Sequence, residues 1–324
     1  MTVDLPYAGM TFERQKTNRM NLAIETHNVR KLYKPRGRPE IVALHGLDLA
    51  VAEGTVFGFI GPNGAGKTTC IKILSGLSSP SSGSATIFGH QAGSEEARAC
   101  LGYLPEIANY HDFMSVEELL LTHARLARVP RAQQREACQS ALEAVRLVDR
   151  RKSRIRELSK GMQQRFGIAQ ALVGNPKLLI LDEPTSGLDP LAQKEVKDII
   201  LALRGRGITI FFSSHKLTEV ENICDLICIL HRGKLLQCSP LDRLLEVSGT
   251  VHIRFSGASP QLVEGATLAS QSSEGSMIVL PSSQVDRQIQ QIHAVGGSVQ
   301  QVATERLTLE LAFFNLITQA EHRS

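Results

Sequence analysis

No stretch of the 324 residues approaches the roughly 18 uninterrupted apolar positions that a membrane-crossing helix needs. The first residues include Asp4, Glu13 and Arg14 and have no apolar core, so the start of the chain does not read as an export signal. The six cysteines contain no tight Cys-x-x-Cys pair, and no histidine spacing beside them suits zinc. Cys224 and Cys228, the closest two, lie in an apolar Ile-Cys-Asp-Leu-Ile-Cys-Ile run and are expected to be reduced core thiols. Charge is not lopsided either: 36 Lys and Arg against 32 Asp and Glu give +4, too mild to argue for nucleic acid. What remains is an ordinary globular balance, 42% hydrophobic and 21% charged, long enough for one large or two modest domains. A cytosolic chain is expected.

What is present begins with a glycine-rich stretch. Gly61-Pro62-Asn63-Gly64-Ala65-Gly66-Lys67-Thr68-Thr69 follows the pattern glycine, four residues, Gly-Lys and then Ser or Thr. Glycine tolerates positive φ and close backbone approach, so successive N–H groups curl around phosphate oxygens. Lys67 then supplies an ammonium to the β and γ phosphates, and Thr68 a hydroxyl to Mg²⁺. The flanks agree with that use. Val56-Phe57-Gly58-Phe59-Ile60 reads as a short buried strand and Thr69-Cys70-Ile71-Lys72-Ile73-Leu74 as the opening turns of a helix, whose dipole favours an anion at its start. The stretch predicts binding of a nucleoside triphosphate.

Residues 1–21 lack periodicity and are expected to form a flexible arm. A strand is expected from Leu22 toward Tyr33, then a turn-rich basic insert at 34–39 and a half-buried strand carrying Leu47, Leu49 and Val51. A loop at 79–83 precedes a strand at 85–88. From about 92 to 175 the character is helical: Ser115 with Glu118 makes a capping box, and apolar residues recur at helical spacing until Asn175-Pro176. Leu178-Leu179-Ile180-Leu181 is an unbroken apolar run, as in a strand buried on both faces of a parallel sheet. Asp189 is a good N-cap with Pro190 behind it, for a helix ending at Gly205 and Gly207, and a strand follows at 208–212. Strand alternating with helix indicates an α/β parallel sheet. Past about 245, Val251, Ile253 and Phe255 alternate, 277–280 reads as a strand and 284–294 as a helix. Residues 250–324 are therefore expected to form a small α+β domain, joined near Ser248-Gly249 and carrying no chemical motif.

Asp182 ends the apolar run and Glu183 follows it. A rigid strand would deliver Asp182 beside the phosphate loop to hold Mg²⁺ directly or through water. Glu183 is placed to orient and deprotonate an attacking water. Without the phosphate loop the same acids would read as cap or loop charges. His215, in Ser213-Ser214-His215, and Tyr33 are ambiguous alone, since each residue type has common structural uses.

Taken together and in order, several segments resemble one family. They are Gly61 to Thr69, Leu158-Ser159-Lys160-Gly161-Met162-Gln163-Gln164-Arg165, Leu178 to Pro184, Ser186-Gly187-Leu188-Asp189 and His215. The family is the ATP-binding cassette ATPases, and the likeness covers roughly residues 22–245. It implies an α/β P-loop NTPase cassette: a RecA-like parallel sheet core, antiparallel strands and a helical subdomain at about 92–175. It implies ATP and Mg²⁺ as cofactors, and a head-to-tail dimer, of two copies or with a paralogous ATPase, that sandwiches two nucleotides. In that frame Lys67, Glu183 and His215 carry catalysis. Gly61 through Thr69 bind the nucleotide, with Tyr33 stacking on adenine. Ser159, Gly161 and Asp189 reach a partner's nucleotide, and Thr68, Asp182 and Glu106 meet the metal.

Two positions depart from the common pattern. The signature reads Ser-Lys-Gly-Met where Ser-Gly-Gly-Gln is usual, so Lys160 adds a positive charge near the phosphates. Glu106 stands where many relatives have glutamine; a carboxylate still reaches Mg²⁺ or water but donates no hydrogen bond. Such changes look like those of the branch driving export permeases for drugs, antibiotics or sodium. The resemblance thus implies the ATP-hydrolysing subunit of a transporter, held at the cytoplasmic face of the membrane by a permease on another chain. Glu106 to Ser115, with Tyr110 and Phe113, would form the groove receiving a permease helix. No nucleic-acid partner is expected. The alternative, a cassette acting on nucleic acid or the ribosome, usually needs tandem cassettes or a long coiled-coil insert, and this chain has one phosphate loop and no sustained heptads. A non-hydrolysing regulatory subunit is opposed by intact Lys67, Asp182, Glu183 and His215. The basic run Arg146, Arg150, Arg151, Lys152, Arg154 and Arg156 reads as a solvated face rather than a contact for lipid headgroups.

Overall fold

The computed structural model describes residues 21–34, 36–37, 39–245, 250–257, 259, 261–272, 275–304 and 308–322. The arm expected at 1–21, Asn21 apart, and the junction expected at Ser248-Gly249 lie outside these residues. Two compact units divide the chain after Leu241, the second ending at Thr318.

The first unit opens with β1 (Leu22–Tyr33), β2 (Ile41–Ala52), β3 (Val56–Ile60), α1 (Lys67–Leu74), β4 (Ser82–Ile87), β5 (His90–Gln91), α2 (Glu95–Ala99) and β6 (Leu101–Leu104). Helices α3 (Val116–Leu126), α4 (Gln134–Ala144) and α5 (Lys160–Leu172) follow. The chain then alternates through β7 (Leu178–Asp182), α6 (Pro190–Gly205), β8 (Thr209–Ser214) and α7 (Leu217–Glu221). It ends in the hairpin β9 (Leu226–His231) and β10 (Lys234–Pro240), with the short α8 (Leu241–Leu244) at the boundary. The strands form two sheets, one antiparallel in the order β2-β1-β4-β5 and one in the order β10-β9-β3-β8-β7-β6. In the second sheet β3, β6, β7, β8 and β9 run parallel, and only β10 is antiparallel to its neighbour.

Composition explains that arrangement. Every residue of β3, β7 and β8 is buried, as strands covered on both faces require. Phe57 stacks on Phe211 and Phe59 meets it at a tilt, each with ring centroids 5.2 Å apart, tying β3 to β8. β1 and β2 instead alternate, and Ile24, Leu47, Leu49 and Val51 join Ile71 and Leu74 of α1 and Phe57 and Ile180 in one core between the sheets. Ser115 caps α3 in a full capping box with Glu118, as expected.

Three expectations need correction. The block read as helical from about 92 contains β6, which pairs in parallel with β7 from Leu101↔Leu178 to Leu104↔Leu181. Four residues are too few to show a period, and only the waiting sheet edge makes them a strand. The loop expected through Gly83 is already strand from Ser82. Cys228 is not a free thiol. It faces Cys238 across the β9–β10 hairpin and the two form a disulfide, their Cα atoms 4.1 Å apart. Sequence proximity singled out Cys224, whereas strand register chose Cys238. Cys224 stays free and buried, and burial pushes its thiol pKa up.

The second unit is an antiparallel sheet in the order β12-β13-β11-β14, from β11 (Thr250–Ser256), β12 (Thr267–Ser272), β13 (Gly275–Pro281) and β14 (Ser298–Thr304). Helix α9 (Val285–Ala294) joins β13 to β14, and α10 (Leu309–His322) follows, belonging to this unit as far as Thr318. Val251, Ile253 and Phe255 face Ile278, Leu280 and Ile292 in its core. Gln288 is fully buried there because its amide binds the Val263 N–H at 2.9 Å and the Gln261 carbonyl at 3.2 Å. Sequence periodicity missed β12 and β14, edge strands rich in polar residues. Among the described residues no helix is long and apolar enough to cross a membrane.

Candidate active site

Three neighbouring parallel strands end on one edge of the larger sheet. Ile60 of β3 pairs with Ser214 of β8, and Asp182 of β7 pairs with Ser213. Whatever follows each strand therefore shares that edge, which is where open α/β sheets place ligands. The followers are the glycine-rich loop after β3, Asp182-Glu183 on β7, and His215 after β8.

The loop from Gly61 turns directly into α1. Gly66 at its N-cap has φ +109°, open to glycine and strained for other residues, and no side chain caps the first turn. The N–H groups of that turn are thus left for an anion. Thr68 is exposed, as are Asn63 and Gly64, while Ala65 is buried and Pro62 and Thr69 are half-buried. Lys67 is buried; its Nζ donates to the Gly61 carbonyl at 2.6 Å and lies 3.9 Å from Glu183 Oε1. Burial lowers the Lys67 pKa from its usual value, while Glu183, Asp182 and Glu106 pull it back. The ammonium is held by the loop's own carbonyl oxygens, with the Glu183 carboxylate as its ion-pair partner.

Asp182 is 2% exposed, and Ser213 Oγ donates to its Oδ1 at 2.6 Å. Burial raises the Asp182 pKa, with Glu106 and Glu183 adding to the rise, against the Ser213 hydrogen bond and Lys67. A buried carboxylate so disfavoured as an anion is suited to gaining a cation. Glu183 carries φ +50°, an uncommon backbone state for a non-glycine residue. Its N–H donates to both the carbonyl and the hydroxyl oxygen of Ser213, each at 3.1 Å, which holds the turn. The turn aims Glu183 Oε2 at His215 Nδ1, 2.8 Å away. One oxygen of Glu183 thus faces the lysine and the other the histidine.

The structure brings together Lys67, Asp182, Glu183 and His215. Glu106 is exposed and enters only through its charge, felt at Lys67, Asp182 and Tyr103, whose pKa is pushed up to about 12 chiefly by burial. No cluster of three or more His, Cys, Asp or Glu side chains among the described residues forms a metal cage. Thr68, Asp182 and Glu106 would thus hold a hard cation only with oxygens from a ligand, the usual habit of Mg²⁺ with nucleotides. Tyr33 is 38% exposed at the end of β1, with Lys31 Nζ 5.2 Å from its ring centroid.

No described hydrogen bond or ion pair ties Ser159, Gly161 or Asp189 to the four clustered residues. Ser159 caps α5 and accepts from the Met162 N–H at 3.3 Å, and Asp189 caps α6 by accepting from the Ala192 N–H at 2.9 Å. Gly161 lies where a Cβ would meet Ala192, so α5 and α6 start side by side. The Lys160 ammonium rests against Gly187, not on the phosphate loop of its own chain. Sequence reasoning missed Ser213 and a second tether. Thr185 Oγ1 donates to Glu219, which also pairs with Lys216 at 3.3 Å, linking the loops after β7 and β8 around His215. Neither has a local pattern; both exist because two strands are neighbours.

A separate cavity of about 250 Å³ lies between β6, the loop 105–111 and α3. Tyr110 is half-buried there, edge-on to Phe166 at 5.3 Å, and burial pushes its hydroxyl pKa up to about 12. Ile107 and Leu126, in its lining, are 76% and 73% exposed, and Phe113, 65% exposed, meets the His111 ring of the lining at 5.8 Å. Of the two aromatics expected in the groove, Tyr110 is packing and Phe113 is surface.

Residues 44–186 match the family model described as ABC transporter. An uncharacterised ABC transporter ATP-binding protein of Nostoc sp. is 42% identical over 235 residues, covering 71% of this chain and 70% of that protein. The Nod factor export ATP-binding protein I of Rhizobium sp. is 36% identical over 243 residues, 74% of this chain and 78% of that protein. Among solved structures, a bacterial ABC transporter cassette determined as a dimer is 25% identical with a TM-score of 0.61, covering 67% of this chain and 98% of that one.

Proposed function

The chain belongs to the ABC transporter ATP-binding proteins, and from that premise we propose that it binds and hydrolyses ATP to drive export through a permease on another chain. The observation that carries this reading is the sheet edge where Lys67, Asp182, Glu183 and His215 meet. The uncapped start of α1 and the Gly61–Thr69 backbone take the β and γ phosphates, and Lys67 exchanges carbonyl oxygens for phosphate oxygens. Tyr33 offers its open face to adenine. Mg²⁺, when bound, neutralises charge developing on the phosphates. The residues that would hold it are Thr68, through its hydroxyl, and the carboxylates of Asp182 and Glu106.

Glu183 takes the proton of the attacking water, and His215 steadies the carboxylate that receives it. Ser159, Gly161 and Asp189 serve the nucleotide of a second cassette, head to tail. In support, their helix starts are exposed and make no bond to their own phosphate loop, Leu191 beside them is 70% exposed, and a structural relative is a dimer. The groove that Ile107 and Leu126 line, with Phe113 exposed beside His111, receives a cytoplasmic helix of the permease. The Nod factor relative supports export as the direction. The protein then sits on the cytoplasmic face of the membrane through its permease.

Glu183→Gln tests the central step. The variant should bind ATP as the wild type does and lose nearly all turnover, because the amide cannot accept the water's proton. Steady-state hydrolysis by that variant at the wild-type rate would remove Glu183 from catalysis.

A further inference from the structure

The basic run between Arg146 and Arg156 is placed in the fold in a way its sequence does not show. Six cations and a single acid, Asp149, occupy these eleven positions, and all six cations are exposed. None of them takes part in a described salt bridge. Acids do lie along it: Glu118 closes the α3 capping box and feels the Arg154 charge, Glu157 accepts the Arg154 N–H at 3.0 Å, and Asp112 and Glu117 stand on the neighbouring segment, none of them in a described salt bridge with the run. The segment is not a loose loop. Ile155 is 1% exposed, and four backbone hydrogen bonds of 3.0–3.2 Å lace 151–156 alongside 112–117. Met114, Val116, Glu117 and Asp112 supply the other side of those bonds. The laced neighbour carries Phe113, whose ring lies 5.8 Å from that of His111 in the cavity lining. A rigid ridge of exposed cations therefore runs alongside the segment that leads into the groove.

We propose that this ridge, on the reading that the groove seats a permease helix, docks on anionic phospholipid headgroups of the cytoplasmic leaflet next to the permease. Charge complementarity decides the occupant. Cytoplasmic loops of membrane proteins carry an excess of Lys and Arg, so a permease surface would on average repel the ridge. The lipid leaflet around it is negative and attracts clusters of four to eight basic residues, each adding about fivefold in binding. A groove that holds the cassette against the permease brings the ridge toward that leaflet. The apolar rim and the cations then act on two adjoining surfaces, one protein and one lipid.

The full chain should sediment with vesicles of phosphatidylcholine containing about a third phosphatidylglycerol at about 0.1 M salt, and not with pure phosphatidylcholine. Combining Arg150→Gln, Arg151→Gln and Lys152→Gln should weaken that partitioning about a hundredfold. A control combining Lys72→Gln and Lys234→Gln, exposed cations away from the ridge, should leave it unchanged. Equal binding to both vesicle types, or full binding by the triple variant, would overturn the proposal. So would a wild type that ignores anionic vesicles yet needs the three cations to assemble with its permease, an outcome that assigns the ridge to protein. The vesicle measurement uses neither permease nor ATP, so its failure and failure of the transport reading are separate results.

Discussion

Ser213→Ala removes one hydroxyl that the catalytic edge uses twice. Ser213 Oγ donates to Asp182 Oδ1 at 2.6 Å and accepts from the Glu183 N–H at 3.1 Å. The second loss is small, since the same N–H keeps the Ser213 carbonyl at 3.1 Å. The first is not. Ser213 is fully buried, so water does not replace the hydroxyl, and a hydrogen bond to a charged group contributes about 1.5–3 kcal/mol. If that amount is lost from the carboxylate proposed to hold the metal, kcat/KM falls by about ten- to a hundredfold. Nucleotide affinity, which the proposal assigns to Gly61 to Thr69, should change by no more than about threefold. The assay pairs steady-state ATP hydrolysis with direct nucleotide binding on protein shown by circular dichroism to be folded. A folded variant with wild-type kcat/KM would refute the role given to Ser213. Equal losses in affinity and rate would place the serine with the phosphate loop instead of with Asp182.

Two more outcomes follow from the same edge. Asp182→Asn should raise the melting temperature of protein without added nucleotide near neutral pH while abolishing most hydrolysis, a trade of function for stability. Burial raises the folded pKa above the usual 3.8, so the native state binds more protons than the unfolded chain between those values. Wild-type stability is therefore lost as pH rises through that window, and the advantage of the Asp182→Asn variant should vanish below it; an advantage equal at all pH would contradict the cause assigned. Gly61→Ala would push a methyl group against the Leu230 carbonyl oxygen of β9. Because backbone cannot step aside cheaply, it should cost about 1–3 kcal/mol and weaken nucleotide binding, and an unaffected variant would show that the loop has slack there.

How much of this was legible depended on whether the signal was local. Gly61 to Thr69 needs only its own residues and its flanking strand and helix, and β7 announces itself by four consecutive apolar residues. The Ser115 capping box is likewise local, with donor and acceptor three positions apart. The short β6, the edge strands β12 and β14 and the Cys228–Cys238 bond were not legible, because each is defined by its neighbour across a sheet. Ser213 is the sharpest instance. In sequence it is one polar residue among several after an apolar run, and its meaning comes from pairing with Asp182, 31 positions away.

The order of motifs along the chain alone determined the α/β class and singled out the loop proposed to bind phosphate and the acids proposed to serve it, since chemistry of that kind demands particular residue types at fixed spacings. Only the tertiary structure decided which groups touch: that Glu183 divides its oxygens between Lys67 and His215, that Ser213 holds Asp182, that Ser159 and Asp189 make no bond to their own loop, and that the Arg146–Arg156 ridge runs alongside the segment that leads into the groove. The reason is physical. Spacing within a segment is set by covalent geometry and reads from the sequence, whereas contact between segments is set by sheet order and register, which no single segment contains.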